Sequence, residues 1–333
     1  MEGLLIIPIL IGFFVSFISL PFWLRRARNV GLVWEDMHKK GTPKNVVGSG
    51  GISVLLGFTI GVLSYIAIQT FIFDSNVNII QIFALLTTIL IAGAIGFIDD
   101  FLGWVHGGLS NKLRIFLVLI AAIPLMVINA GESIMMGIPL GWIYPLILIP
   151  LGIVATTTTF NMIAGYNGLE ASQGMIFLVA LAVVTYITRD SWLTILLLTM
   201  ISSIFAFYIF NKNPAKVFPG DVLTYPVGAF IGIVAILGNI EKIAIWFFIP
   251  YILEVGLKLR GGLRKQSFGK LEEDGNLAVP YEKFYGVEHI AIYLLRKWKI
   301  KASENNVVRL INLFQIVIII LGFLFFGGEL FLK

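Results

Sequence analysis

The stretch TTFNMIAGYNGLEASQ, residues 158–173, lies between two long apolar segments of the chain. It places two asparagines, Asn161 and Asn167, and one acidic side chain, Glu170, at the edge of apolar sequence. Polar side chains at the edge of the hydrocarbon region of a membrane are costly unless they are satisfied or used. The stretch therefore predicts a functional site where two membrane helices meet.

The composition excludes a soluble globular protein. Hydrophobic residues make up 58% of the 333 residues and charged residues 13%, and the mean hydropathy is +0.94. No soluble domain of this length could bury so much apolar surface. The chain contains no Cys, which excludes disulfides and thiolate metal sites. We predict a single integral membrane domain over residues 1–333, with the N-terminal apolar run retained as its first span.

Apolar runs long enough to cross a bilayer as helices recur along the chain. They cover residues 3–24, 47–72, 78–98, 113–130, 140–160, 172–188, 191–210, 222–238, 240–257 and 307–331. The predicted fold class is all-α, a polytopic membrane protein with about ten transmembrane helices.

The basic residues predict the orientation. If the N-terminus is outside, the only basic residues on the outer side among 24 are Arg189, Lys242 and Lys333. The positive-inside rule then predicts that the polar loops, and with them the active site, face the cytoplasm. The same rule accounts for a pI near 9.3 without a nucleic acid partner. The long loop 258–306 is expected to form part of the site, with a strand pair across 269–280 and a helix around 287–299.

Two adjacent acids, Asp99 and Asp100, end the third apolar run, and Lys112 follows at the start of the next helix. Adjacent carboxylates repel, so one of them is a candidate base or a neighbour of a metal site. Solvated charges at a helix end are the alternative. A Lys at a helix start has the wrong sign for the helix dipole, which a phosphate partner would explain.

Asn161 and Asp221 offer oxygen ligands on two loops of the same face. Such ligands suit Mg²⁺, a hard ion that keeps waters and shares the phosphate oxygens of a nucleotide. The structural alternatives are an N-cap for Asp221, a C-cap for Asn161 and ordinary turn glycines for Gly165 and Gly168.

Lys258 and Arg260 precede a Gly-Gly pair at the start of the last polar loop. They could clamp an anion, with the Arg guanidinium bonding phosphate in a bidentate manner. They could also serve only as a topology signal.

These motifs together resemble the polyprenyl-phosphate N-acetylhexosamine-1-phosphate transferase family. The similarity rests on DD at 99–100, NKL at 111–113, N-x3-G-x-NGLEA-x-Q at 161–173 and VF-x-GD at 217–221. The chain is most similar to the eukaryotic and archaeal UDP-GlcNAc:dolichyl-phosphate GlcNAc-1-phosphate transferases. Bacterial phospho-MurNAc-pentapeptide transferases carry a His cluster in the last cytoplasmic loop, and no His lies near residues 258–264 here.

The resemblance implies a role for each matching residue. Asn161 and Asp221 would bind Mg²⁺, with Mn²⁺ as a substitute, and Lys112 would hold phosphate. Asp99 or Asp100 would deprotonate or orient the lipid phosphate. Asn167 and Phe218, with Met37 and Glu35 nearby, would surround the uridine, and Lys258 and Arg260 would contact pyrophosphate and GlcNAc. Three departures from the family pattern are Lys258, where the eukaryotic enzymes have Arg, Leu259, where they have His, and the first loop. In that loop PKNVVGSGG at 43–51 replaces a motif with a uridine-contacting Glu.

The implied reaction transfers GlcNAc-1-phosphate from UDP-GlcNAc to a polyprenyl or dolichyl phosphate in the bilayer, releases UMP and starts lipid-linked oligosaccharide synthesis for N-glycosylation. The expected location is the cell membrane of an archaeon or the ER membrane of a eukaryote, and a homodimer is the assembly considered. The alternatives are another UDP-N-acetylhexosamine or undecaprenyl phosphate, and a nucleotide-sugar or ion-coupled transporter. Polar residues clustered at one face and helices without evident breaks weigh against a transporter.

Overall fold

The structure is a computed structural model that describes residues 2–37, 44–75, 78–135 and 138–331. It is a bundle of helices. They are α1 Ile6–Asn29, α2 Gly51–Phe71, α3 Ile79–His106, α4 Asn111–Ala121, α5 Ile123–Val127, α6 Ile149–Phe160, α7 Leu169–Ile187, α8 Ser191–Asn211, α9 Asp221–Leu237, α10 Glu241–Phe247, α11 Ile249–Arg260, α12 Val287–Lys297 and α13 Glu304–Phe331. A 3-10 turn precedes α1, and a π-helical segment, Tyr144–Leu148, leads into α6.

Within the described ranges, six helices are long and apolar enough to cross a membrane. They are Gly3–Asn29, Gly51–Phe71, Ile79–Val105, Leu169–Ile187, Ser191–Asn211 and Glu304–Gly328. The chain is therefore a mainly helical, multi-pass membrane protein, but the prediction of about ten spans is not confirmed. The other apolar runs form helices that are shorter or interrupted.

Proline explains the interruptions. The run 113–130 divides at Ala122 into α4 and α5, and the run 240–257 divides at Phe248 into α10 and α11. In both cases a Pro lies in the first two positions of the second helix, where its missing N–H is tolerated but a continuous helix is not. The expectation that the membrane helices are unbroken was therefore wrong for these two runs.

Helix α9 is the centre of the bundle. Every residue from Val222 to Ile236 is buried, and the helix packs against α2, α3 and α6. A helix that is apolar on all sides is stable only when neighbours surround it. Gly228 allows the close approach of α6, because a Cβ there would lie 2.7 Å from the Thr156 carbonyl oxygen. The position of Asp221, the first residue of α9, is thereby tied to the core.

Short antiparallel hairpins complete the loops. Strand β1, Val33–Glu35, pairs with β2, Lys44–Val47; β3, Ile134–Met135, pairs with β4, Ile138–Pro139; β5, Lys270–Leu271, pairs with β6, Leu277–Ala278. The β5–β6 pair and α12 confirm the strand pair and the helix predicted in the last loop. The β1–β2 hairpin was not predicted, and β2 also bridges Val217 in the loop before α9.

Close packing of α1 on α2 gives a test of the fold. A Cβ at Gly57 would meet Ser16 Oγ and would lie 2.5 Å from the Gly12 carbonyl oxygen. Overpacking of this kind typically costs about 1–3 kcal/mol, so Gly57→Ala should lower the melting temperature of the detergent-solubilised protein by several degrees. At Gly327, in α13, a Cβ would meet nothing within 4 Å, and Gly327→Ala should leave the melting temperature unchanged or slightly higher. Equal melting temperatures for the two variants would contradict this packing.

Candidate active site

A cleft of about 910 Å³ opens where the loop after α1, the α6–α7 turn, the α8–α9 loop and the end of α11 converge. Its lining includes many of the predicted site residues: Glu35, Met37, Asn161, Asn167, Phe218, Asp221 and Lys258. The structure therefore brings together side chains that are as far apart as residues 35 and 258 in the sequence. Asp99, Asp100, Lys112 and Arg260 are not among the lining residues.

The α8–α9 loop is fixed by main-chain hydrogen bonds to the first loop. The Phe218 N–H donates to the Val47 carbonyl at 2.7 Å, and the Gly50 N–H donates to the Phe218 carbonyl at 2.9 Å. Asn211 Nδ2, at the last residue of α8, donates to the Val217 carbonyl at 2.9 Å. Phe218 is thus held on the cleft wall through its backbone, and its ring remains half-buried and able to contact a ligand.

The α6–α7 turn depends on glycine. Gly165 and Gly168 have φ of +110° and +81°, a left-handed backbone that disfavours other residues. Glu170 Oε1 accepts a hydrogen bond from the Gly165 N–H at 2.9 Å and closes the turn. The interpretation of both residues as turn glycines is therefore confirmed, and the turn carries Asn161 at one end and Asn167 near the other.

Asn161 and Asp221 form a set of oxygen donors in the cleft. Asn161 is the C-cap residue of α6, and its Oδ1 accepts a hydrogen bond from Thr224 Oγ1 at 2.9 Å. Thr224 lies three residues after Asp221 and therefore on the same face of α9. The N-cap of α9 is Gly220, so Asp221 does not occupy the capping position that was its structural alternative.

Oxygen donors of this kind fit a hard divalent cation such as Mg²⁺. Across the described ranges, no group of three or more His, Asp or Glu side chains could hold a metal ion. An ion bound to Asn161 and Asp221 would accordingly complete its coordination with water and substrate oxygens, as Mg²⁺ commonly does.

Asp100 caps α9. Its Oδ1 accepts a hydrogen bond from the Asp221 N–H at 2.7 Å, and its Oδ2 accepts one from the Val222 N–H at 3.3 Å. A carboxylate at a helix N-terminus both satisfies unpaired N–H groups and interacts favourably with the helix dipole. Asp100 therefore positions Asp221 through its backbone N–H, and Asp100 itself is not one of the residues that line the cleft.

Asp99 is occupied by a different set of donors. Arg114 forms an ion pair with it: Nε lies 2.5 Å from Oδ2, and Nη2 donates a hydrogen bond to Oδ1 at 2.9 Å. The Leu109 N–H donates to Oδ1 at 2.8 Å, and the Tyr225 hydroxyl donates to Oδ2 at 3.3 Å. The Asp99 side chain is only 1% exposed. Asp99 thus holds α4 through Arg114 and contacts α9 through Tyr225, whereas Asp100 caps the start of α9.

Arg114 was missed by the sequence analysis. It follows Lys112 by two residues on α4, and such residues point to different sides of a helix. Lys112 itself is exposed near the helix start, whereas Arg114 is half-buried against α3. Only the packing of α4 on α3 could have selected Arg114 over Lys112 as the partner of Asp99.

Lys258 lies on the cleft wall and links two elements. Its Nζ donates to the Met162 carbonyl at 2.7 Å and lies 3.4 Å from Glu254 Oε1 one turn earlier on α11. Glu254 is fully buried, and its Oε2 accepts a hydrogen bond from the Val287 N–H at 2.6 Å. Arg260, the last residue of α11, is exposed. The two predicted basic residues therefore have different environments.

The last loop contributes Gln266, Ser267 and Phe268 to the cleft lining. Behind them lies Glu288, a fully buried residue of α12 whose carboxyl oxygens have no hydrogen-bond partner among the described residues. Burial raises the pKa of the Glu288 carboxyl well above its usual value, and repulsion from Glu254 acts in the same direction. Both effects favour the neutral form of the Glu288 carboxyl group over the charged form.

Asp36 is a second residue that the sequence analysis missed. It follows the predicted Glu35, lines the cleft and is 3% exposed. Its Oδ2 accepts a hydrogen bond from Asn167 Nδ2 at 3.2 Å. Its position depends on the β1–β2 hairpin, which no sequence pattern indicated. The motif starting at Pro43 begins outside the described residues.

The chain is similar to proteins of known families. Residues 82–239 match glycosyl transferase family 4. A protein of Saccharolobus solfataricus, named "Putative UDP-N-acetylglucosamine--dolichyl-phosphate N-acetylglucosaminephosphotransferase", is 35% identical over 88% of this chain and 89% of its own length. A protein of Sulfolobus acidocaldarius with the same name is 31% identical over 82% of this chain and 83% of its own length.

A bacterial relative is more distant. The phospho-N-acetylmuramoyl-pentapeptide-transferase of Streptococcus pyogenes serotype M1 is 27% identical over 75% of this chain and 78% of its own length. The archaeal matches extend over most of the chain, and they confirm the family predicted from the motifs. The protein is a member of glycosyl transferase family 4.

Proposed function

We propose that the protein transfers GlcNAc-1-phosphate from UDP-GlcNAc to a polyprenyl phosphate of the dolichyl type and releases UMP. The observation that carries this proposal is the convergence of Asn161, Asp221, Phe218 and Lys258 in one cleft at the ends of membrane helices. The names of the archaeal relatives, which match most of the chain, support the same reaction.

The reaction needs positioning and charge neutralisation rather than covalent chemistry from the protein. An oxygen of the lipid phosphate forms a bond to the β-phosphorus of UDP-GlcNAc, and the bond from that phosphorus to the bridging oxygen breaks with departure of UMP. Phe218 offers an aromatic face to the base, and Lys258 offers a positive charge to the pyrophosphate. When bound, Mg²⁺ held by Asn161 and Asp221 supplies further neutralisation of the phosphate charge.

The two acids act by positioning. Every carboxylate oxygen of Asp99 and Asp100 accepts a hydrogen bond from a backbone N–H, Arg114 or Tyr225. A general base needs an oxygen within reach of the proton that it removes, and neither acid lines the cleft. The lipid phosphate is already largely ionised near neutral pH, so the reaction does not require such a base.

The location of the cleft supports the orientation expected from the basic residues. The cleft lies at the end of the bundle where α1, α6, α8 and α11 finish, and the N-terminus of α1 lies at the other end. The positive-inside rule places that end in the cytoplasm and the N-terminus outside. A nucleotide sugar would then enter from water while the prenyl chain stays in the bilayer. A homodimer stays a prediction.

A transport function is the alternative, and the breaks between α4 and α5 and between α10 and α11 give it one supporting observation. Purified protein supplied with UDP-GlcNAc labelled in the sugar and with dolichyl phosphate should form a labelled, solvent-extractable lipid and an equal amount of UMP. A transporter would move label without forming this lipid. UDP-MurNAc-pentapeptide, or undecaprenyl phosphate as acceptor, should react at least about tenfold more slowly. A faster reaction with either would assign the site to a different substrate.

Removal of the metal tests the Asn161–Asp221 site. Excess EDTA should abolish transfer, and Mg²⁺ or Mn²⁺ should restore it. Asp221→Asn should reduce turnover about a hundredfold or more, because a charged ligand that stabilises the transition state is lost. Asp74→Asn is the matched control, because Asp74 is exposed at the other end of the bundle with φ of 49°, a conformation that Asn tolerates. Full turnover in EDTA would contradict the metal assignment.

Substitution of each acid tests the positioning roles. Asp100→Asn should raise the Mg²⁺ concentration needed for half-maximal rate and reduce turnover about tenfold, because the start of α9 loses a charged hydrogen-bond acceptor. Asp99→Asn should mainly lower the melting temperature, because it leaves Arg114 half-buried without its charged partner. Both variants should keep the acidic limb of the pH–rate profile. Loss of that limb in one variant, with Asp74→Asn unchanged, would identify that residue as a general base.

A further inference from the structure

Asn167 is held by two acidic residues from distant parts of the chain. Its backbone N–H donates to Glu304 Oε1 at 2.7 Å, and its side-chain Nδ2 donates to Asp36 Oδ2 at 3.2 Å. Asn167 and Asp36 are 5% and 3% exposed, and both line the cleft. The first loop and the start of α13 thus fix both the position and the side chain of this residue.

The bond to Asp36 determines which way the amide points. A carboxylate oxygen can only accept a hydrogen bond, so the amide nitrogen of Asn167 must face Asp36 and the amide oxygen must face away. No described residue donates to Asn167 Oδ1, and this oxygen is not one of the buried unpaired atoms. The amide oxygen therefore keeps some accessible surface, and Asn167 is one of the residues that line the cleft.

An amide with a fixed orientation can distinguish the two pyrimidine bases. Uracil has an N3–H donor beside a carbonyl acceptor, whereas cytosine has an N3 acceptor beside an amino donor. An amide that offers its oxygen and its remaining N–H matches uracil. The same amide rotated by half a turn matches cytosine, so free rotation would remove the discrimination.

We propose that Asp36 holds the Asn167 amide in the orientation that accepts uracil, and that it thereby gives the site its preference for uridine over cytidine nucleotides. Asp36 is a positioning residue, because it acts through Asn167. The inference rests on the proposed function, in which the base of the nucleotide sugar lies against Asn167 and Phe218. It adds a residue that selects the base of the substrate.

Nucleotide binding to the detergent-solubilised full-length protein tests the proposal. The dissociation constants of UMP and CMP are measured by calorimetry with Mg²⁺ present, and the selectivity is their ratio. Asp36→Asn keeps the size of the side chain, but its own amide can rotate and can pair with Asn167 in either orientation. The variant should bind UMP more weakly and CMP more tightly. The ratio of the two dissociation constants should change by about tenfold, because one hydrogen-bond pattern is exchanged for another. Asp36→Ala should change the ratio similarly.

Two control variants separate an effect on the orientation of the Asn167 amide from an effect on the stability of the surrounding structure. Glu304→Gln keeps an acceptor for the Asn167 N–H and leaves the amide orientation intact, so it should weaken UMP and CMP by equal factors. Asp74→Asn should leave both dissociation constants unchanged. Melting temperatures verify that each variant is folded, and Asp36→Asn alone decides if Asp36→Ala does not fold.

The outcomes distinguish this proposal from the proposed function. If Asp36→Asn weakens UMP and CMP equally, or changes neither, Asp36 does not orient the amide and the inference is wrong, while the transfer reaction is unaffected. If the wild-type protein binds no UMP, the nucleotide site is wrong, and the role of Asp36 is overturned with it. A selectivity that falls in both Asp36 variants and persists in Glu304→Gln supports the proposal.

Discussion

The carboxylate of Asp100 at the N-terminus of α9 is the interaction on which the site depends. The helix behind it is buried along its length, so its first N–H groups need partners that the bilayer does not supply. Asp100 provides them from α3, and the same contact fixes the backbone of Asp221. Gly96, one turn earlier on α3, permits this approach, because a Cβ there would lie 2.7 Å from the Val222 nitrogen. The candidate metal ligand is therefore positioned by helix packing.

The cleft is lined by residues at the ends of helices and in the loops that join them. Lys258 illustrates what this implies for a ligand. Its ammonium group already contacts the Met162 carbonyl and Glu254, and an ammonium has three donors. The remaining donor can reach a phosphate without release of the other contacts, so the charge is presented in a fixed place. Fixed donors need little reorganisation when charge develops during phosphoryl transfer.

Much of this arrangement could be predicted from the sequence, for identifiable reasons. Runs of apolar residues predict membrane helices because every spanning backbone group must be satisfied within the segment. A turn at Gly165 and Gly168 was one of the alternatives that the residue type indicated. The breaks at Ala122 and Phe248 were missed because a Pro in a new helix's first turn does not disturb an apolar pattern. Asp36 and Arg114 were missed because their partners are set by the β1–β2 hairpin and by the packing of α4 on α3. Such tertiary contacts leave no local signal.

The bond between Glu304 and the Asn167 backbone has a consequence for biosynthesis. The ribosome produces Asn167 well before Glu304, and 137 residues separate the two. Until α13 emerges and inserts, the N–H of Asn167 lacks this acceptor and the α6–α7 turn lacks its outer brace. The nascent chain can therefore assemble α7, α8 and α9 early, but the cleft reaches the form described above only after α13 has inserted. A nascent chain that has not yet produced α13 therefore lacks the contact that fixes the Asn167 backbone in the cleft.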